Sequence, residues 1–226
     1  INTPRAEDDF VVRDILIYAS DADHAATIEQ KIRELDHVEI INVSDMVFKM
    51  HLGGKIVVSP RVPINGKRDV LSMVYTPGVA RVCRAIHEDT SKAYALTMKG
   101  NAVAVVTDGS RVLALGNIGP LAALPVMEGK AALFSEFGKI NAVPISLDTQ
   151  DPDEIIKVIK AIAPAFGAIN LEDIASPGCY KIEDTLRREL DIPAIHDDQH
   201  ATAIAVMAGT INAAKVTRKQ LRNMKI

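Results

Sequence analysis

A chain of 226 residues, 48% hydrophobic and 24% charged, has the composition of a soluble globular protein with room for one sizeable core or two modest ones. Its formal net charge of -3 excludes non-specific binding to nucleic acid, which needs a basic footprint. No apolar stretch reaches the roughly eighteen residues of a membrane span and Ile1-Asn2-Thr3-Pro4 opens no signal peptide, so no membrane partner and a cytoplasmic location are expected.

Residues 10–19, rich in Val, Ile and Leu, are expected to form a strand. Ser20-Asp21-Ala22-Asp23 then has the Ser-x-x-acid spacing of a capping box, and Ile28, Ile32 and Leu35 share one helical face. A second strand is expected over 38–43. This βαβ piece is too small to bury its own faces and needs another surface. From 53 to 68, Gly53-Gly54, Pro60, Pro63 and Asn65-Gly66 mark a linker or an irregular crossing.

Residues 77–87 read as a short amphipathic helix that buries Val79, Val82, Cys83 and Ile86. A strand at 102–106, a tight turn at Asp108-Gly109 and a partner strand at 112–115 follow. Gly116-Asn117-Ile118-Gly119-Pro120 leads into a helix reaching about Phe137, and 142–147 form the next strand. Asp151, Pro152 and Glu154 supply the N-cap, N1 and N3 residues of a helix bearing Ile155, Ile156, Ile159 and Ile162. Strand 168–171, helix 180–190, strand 194–195 and helix 202–214 complete the run. Such alternation predicts an α/β fold: a largely parallel sheet covered by helices, behind the small N-terminal piece. Cys83 and Cys179 match neither a disulfide framework nor a zinc motif and are expected as buried thiols.

Two acidic pairs close apolar runs, Leu171-Glu172-Asp173-Ile174 and Ile195-His196-Asp197-Asp198-Gln199-His200. In an α/β protein both stand at strand ends, where ligands collect. Four carboxylates gathered there repel one another unless a cation lies between them. Mg²⁺ or Mn²⁺ takes such hard oxygen ligands and leaves positions for substrate and water. Glu172, Asp173 and Asp198 suit the ligand set, with Asp197 as an alternate ligand or behind them. The ordinary alternative is that these acids cap the next helices, with His196 and His200 donating hydrogen bonds within their loop. Tyr75, in Tyr75-Thr76-Pro77-Gly78, is either a turn tyrosine bonded to backbone or an exposed group at a fixed position. Lys130, inside an apolar helix, either snorkels to solvent or serves as a base beside a cation. Arg111, after Asp108-Gly109-Ser110, grips a carboxylate or pairs on the surface.

Several ordered segments then carry a family likeness. Val74-Tyr75-Thr76-Pro77-Gly78-Val79-Ala80, Thr107-Asp108-Gly109-Ser110, Gly116-Asn117-Ile118-Gly119-Pro120, Met127-Glu128-Gly129-Lys130-Ala131, Asn170-Leu171-Glu172-Asp173-Ile174 and His196-Asp197-Asp198-Gln199-His200 resemble the N-terminal catalytic domain of malic enzymes of the short bacterial and archaeal type. The resemblance covers residues 52–226. Residues 10–48 are similar to the second half of an ACT-type regulatory domain, which divides the chain into 1–50 and 51–226. The resemblance implies oxidative decarboxylation of malate to pyruvate and carbon dioxide, with reduction of NAD or NADP, Mg²⁺ or Mn²⁺ as metal, and a homodimer. It implies Tyr75 as general acid, Lys130 as general base, Arg111 as the arginine that grips malate, and Glu172, Asp173 and Asp198 as metal ligands. On that scheme Lys130, neutral beforehand, takes the 2-hydroxyl proton as hydride leaves C2, and Tyr75 protonates C3 of the enolate.

The sequence also departs from the family pattern. Ala201 and Ala114 replace usual glycines, Leu121 a commonly acidic residue and Gly178 a common arginine. If position 201 requires positive φ, alanine costs on the order of 1–2 kcal/mol there and shifts Asp198. No Gly-x-Gly-x-x-Gly follows a strand, and Gly116-Asn117-Ile118-Gly119 lacks the spacing of a dinucleotide fingerprint. We therefore expect no nicotinamide platform within 1–226, a chain that is a piece of a longer enzyme, and no hydride transfer by it alone. The competing expectation is a catalytically silent regulatory or dimerisation module that binds a metal or a dicarboxylate.

Overall fold

Contacts between residues divide the chain into two compact units, Ile1–Lys49 and Met50–Ile226. The structure, a computed structural model, describes residues 5–7, 10–64 and 66–224; Asn65 of the expected Asn-Gly turn and the end residues 1–4 and 225–226 lie outside them. In the first unit Arg5–Glu7 (β1) and Phe10–Val12 (β2) pair antiparallel, and helix Ala22–Arg33 (α1) follows. Asp21 rather than Ser20 caps that helix, its carboxylate accepting the His24 N–H at 2.8 Å while the Ser20 hydroxyl donates to Asp21. A carboxylate there gains from the helix dipole as well as the hydrogen bond.

The two strands expected over 10–19 and 38–43 are corrected. Only Phe10–Val12 pairs, and among the described residues 13–19 and 38–43 form no strand. Ile15, Leu16, Tyr18, Ile41 and Val43 are exposed. An apolar run becomes a strand by packing against neighbours, and among the described residues these runs have no strand beside them.

Helix Met46–His51 (α2) crosses the position where the units divide, and 53–67 contain no regular element among the described residues. Arg68–Val74 (α3), Val79–Glu88 (α4) and Ala93–Leu96 (α5) follow. The apolar run before Tyr75 is thus itself a helix. Val79, Val82 and Ile86 on α4 are half-buried, but Cys83 is exposed, against expectation; Cys179 is buried as expected.

The core forms where strand and helix alternate. Ala102–Thr107 (β3), Asn141–Ser146 (β4), Ala168–Leu171 (β5) and Ala194–His196 (β6) make one all-parallel sheet in the order β4-β3-β5-β6. Helices Gly119–Gly138 (α6), Pro152–Ile162 (α7), Gly178–Glu189 (α8) and Thr202–Thr217 (α9) alternate with these strands. Successive residues of β3 point to opposite faces. Ala102, Ala104 and Val106 pack with Ile155, Ile159, Ile182 and Leu186 of α7 and α8. Val105 packs with Met127 and Ala131 of α6. The expected cap of α7 is observed: the Asp151 carboxylate accepts the N–H groups of Asp153 and Glu154 at 2.8 and 2.9 Å.

The expected hairpin of β3 with 112–115 does not form. Both edges of β3 are already occupied, by β4 and β5, so a third partner has no backbone groups to bind. Instead Val112 donates to the Gly116 carbonyl at 2.8 Å and closes a local turn. Among the described residues no helix is long and apolar enough to cross a membrane.

Candidate metal centre and its lysine

Val106 of β3 lies opposite Leu171 of β5, and Leu171 opposite His196 of β6. The next residues therefore leave the sheet along one edge, and they include Glu172 and Asp197. Glu172 is buried, 4% exposed. Its Oε1 accepts from Asn170 Nδ2 at 3.0 Å and lies 2.9 Å from Lys130 Nζ. Lys130 projects from α6 and also donates to Asp197 Oδ2 at 2.7 Å. Two carboxylates thus account for a lysine in a largely apolar helix.

Glu172, Asp197 and Asp198 each offer a carboxylate oxygen, and these oxygens lie within 4.8 Å of one another. Asp197, expected behind the ligands or as an alternate one, contributes an oxygen to this cluster. Asp173 has left-handed backbone, φ 56, and its N–H donates to Asp198 Oδ2 at 2.9 Å. Its own Oδ2 is buried and has no hydrogen-bond partner among the described residues. Residues Asp197–Ala201 form a π-helical turn between β6 and α9. Ala201 has φ -67, an ordinary helical value, so no glycine is needed there and the expected strain is absent.

Arg111 enters through its backbone, whose N–H donates to the Asp173 carbonyl at 2.9 Å, while its side chain is exposed. Asp108 is buried and accepts from the Ser110 N–H at 2.8 Å and the Ser110 hydroxyl at 2.6 Å. Ser110 Oγ in turn accepts the Ala175 N–H at 2.8 Å, joining the loops after β3 and β5. Tyr75 caps the C-terminus of α3, is 65% exposed and is hydrogen-bonded to none of these groups among the described residues. Sequence reasoning overlooked Asn170 and Glu183. Both carried a signal: Asn170 shares a strand face with Glu172, and Glu183 is an acid beside the buried Cys179-Ile182-Leu186 face of α8.

Burial pushes Glu172 up to about 7, although its bonds to Lys130 and Asn170 pull the other way. Burial also raises Asp173 to about 6, with the neighbouring charge of Asp198 adding to it. Lys130 is held above the ordinary lysine value: burial alone lowers it, but its bonds to Asp197 and Glu172 together prevail. The neutral lysine expected before proton transfer is therefore not the form this arrangement favours. One lysine faces a crowded acidic set, and among the described residues a buried carboxylate oxygen of Asp173 lacks any donor. Hard oxygens clustered in this way fit a divalent cation such as Mg²⁺ or Mn²⁺.

A pH dependence follows. A cation competes with protons for Glu172, so Mn²⁺ affinity should be level above about pH 7 and fall toward tenfold per pH unit below it. Calorimetric titrations at pH 8, 7 and 6 measure this. An affinity unchanged from pH 8 to 6 removes Glu172 from the ligand set.

Comparison with known proteins shows what the chain is similar to. Residues 53–187 match the family described as malic enzyme, N-terminal domain. The NAD-dependent malic enzyme of Geobacillus stearothermophilus is 56% identical over 215 residues, covering 95% of this chain and 45% of that protein. The NADP-dependent malic enzyme of Escherichia coli (strain K12) is 49% identical over 173 residues, covering 76% of this chain and 23% of that protein. Among solved structures, the malic enzyme from Pyrococcus horikoshii Ot3 superposes with a TM-score of 0.75 at 52% identity, covering 80% of this chain and 43% of that one. The chain spans about half the length, or less, of the curated relatives it matches.

Proposed function

The chain belongs to the malic enzyme family, and from that premise we propose that it forms the metal- and malate-holding part of an enzyme that converts malate to pyruvate and carbon dioxide with NAD or NADP. The observation that carries this reading is the meeting of Lys130 with Glu172, Asp197 and Asp198 at one end of the parallel sheet. Glu172 and Asp198, with Asp197 or Asp173, would hold the cation. When bound, Mg²⁺ or Mn²⁺ would polarise the malate 2-hydroxyl and lower its pKa.

The remaining roles belong to side chains of this chain. The exposed Arg111 guanidinium, tied by its backbone to Asp173, would hold a substrate carboxylate through paired N–H groups. Lys130 Nζ would accept the 2-hydroxyl proton while the C2 hydride passes to the nicotinamide. That transfer requires Lys130 to give up its own proton first, which becomes easier once its two carboxylates are engaged elsewhere. Breaking the bond from C3 to the departing carboxylate then leaves an enolate, and Tyr75 would return a proton to C3. Support for Tyr75 is its place in Tyr75-Thr76-Pro77-Gly78, between α3 and α4.

Calorimetry with L-malate tests the reading. Malate should bind to 1–226 only when Mn²⁺ is present, and Arg111→Ala should weaken that binding about tenfold, as expected for loss of charge-assisted hydrogen bonds. With NAD or NADP and Mn²⁺ added, 1–226 alone should give no malate-dependent reduction, since its sequence has no dinucleotide fingerprint. Malate binding that is indifferent to metal would overturn the proposal. Absence of both malate and metal binding in a dimeric chain would instead favour a purely structural dimerisation unit.

A further inference from the structure

Glu183 of α8 is 2% exposed, and its two carboxylate oxygens reach different parts of the segment that carries Asp197 and Asp198. Oε1 accepts the His196 backbone N–H at 3.1 Å, and Oε2 is hydrogen-bonded to His200 Nδ1 at 2.7 Å. The carboxylate therefore spans the acidic pair from one side to the other without touching it. Nearly one turn earlier on α8, the Tyr180 hydroxyl donates to Gln199 Oε1 at 3.1 Å. Cys179, Ile182 and Leu186, around Glu183 on the same helix, belong to the core. The anchor is rigid for that reason.

The turn needs such an anchor. π-Helical turns are rare and collect at functional sites, and this one has no side-chain cap of its own. A buried carboxylate among apolar neighbours is unfavourable unless its hydrogen bonds compensate, so packing alone would favour an apolar residue at 183. We infer that Glu183 is a positioning residue: it fixes the His196–His200 turn so that Asp197 and Asp198 present their oxygens to the cation. This inference rests on the metal reading above.

Two measurements on the 226-residue chain test it separately. In the first, amide hydrogen exchange at 196–201 is followed without metal. Glu183→Gln keeps the size of the side chain but turns one acceptor into a donor, and exchange at 196–201 should accelerate. In the second, Mn²⁺ affinity is measured by calorimetry, and the same variant should bind about tenfold more weakly or worse, the usual effect of losing a group that orients a ligand. His200→Ala, which trims a half-exposed ring, should weaken binding severalfold in a fully folded chain. Ile182→Ala is the control: it removes core packing from the same helix, and should lower the melting temperature yet leave Mn²⁺ affinity within about twofold. Parental exchange and parental affinity in Glu183→Gln would overturn the inference, as would an Ile182→Ala chain that loses as much affinity. If the parent binds no Mn²⁺, the metal reading fails by itself, and the exchange measurement still decides whether Glu183 holds the turn.

Discussion

Asp198→Ala should weaken Mn²⁺ binding by about a hundredfold or more, a larger loss than the 10–100-fold typical of groups that merely orient a ligand. The side chain supplies one of three carboxylate oxygens within 4.8 Å and also accepts the Asp173 N–H. Without metal the variant should fold normally, because the Asp198 side chain is 45% exposed and its charge repels Asp173. Removing that charge lets Asp173 ionise more easily. The consequence for stability has a clear sign. A parent chain held at a hundred times its dissociation constant gains about 2.7 kcal/mol from the cation. The variant, in the same Mn²⁺ concentration, should gain only about 0.4 kcal/mol or less. Melting curves with and without metal read this difference, and equal shifts in the two proteins would remove Asp198 from the site.

Gly109→Ala should destabilise the chain by about 3–5 kcal/mol, among the largest effects of a single added methyl group. Gly109 has φ 69, and a Cβ there would meet the Gly119 carbonyl oxygen at 2.2 Å and its carbon at 2.3 Å. Those atoms are backbone in the first turn of α6, the helix that carries Lys130, so they cannot swing aside. The Gly109 carbonyl also accepts the N–H groups of Ile118 and Gly119, both at 3.2 Å. Relief of the clash therefore breaks the start of the helix. Gly116→Ala separates steric from backbone cost: φ is 76 there, but no atom lies within 4 Å of the added carbon. That variant should lose only about 1 kcal/mol, the left-handed penalty alone. Denaturant titrations of both chains give the comparison, and equal losses would show that contact with α6 is immaterial.

How far residues predicted structure depended on how local the cause was. The cap at Asp151-Pro152-Glu154 and the apolar spacing of Ile155, Ile156 and Ile159 lie within one helix, and the structure matches them. Strands need partners from elsewhere. Among the described residues, the Val- and Ile-rich run 38–43 finds no strand partner, and 112–115 cannot join β3 because both of its edges are filled by later segments. At the site, Lys130, Glu172 and Asp198 were legible because a half-buried lysine and clustered acids each demand opposite charge. The place of Asp197 among the clustered oxygens was not. Nor was the bond from the Asp173 N–H, on left-handed backbone, to Asp198, 25 residues away. Glu183 was missed for the same reason: its backbone partner, His196, lies 13 residues further along.

The order of strands has a kinetic consequence. Among the described residues β6 is three residues long and pairs only with β5, yet the turn that follows it supplies two of the three clustered carboxylates. Edges and short strands open more often than sheet centres do, through fluctuations much smaller than global unfolding. Each such fraying would carry Asp197 and Asp198 away from Glu172 while β3 and β5 stay paired. If the cluster holds an ion as proposed above, breathing of this one short strand would offer it a route of release beside direct dissociation from intact ligands.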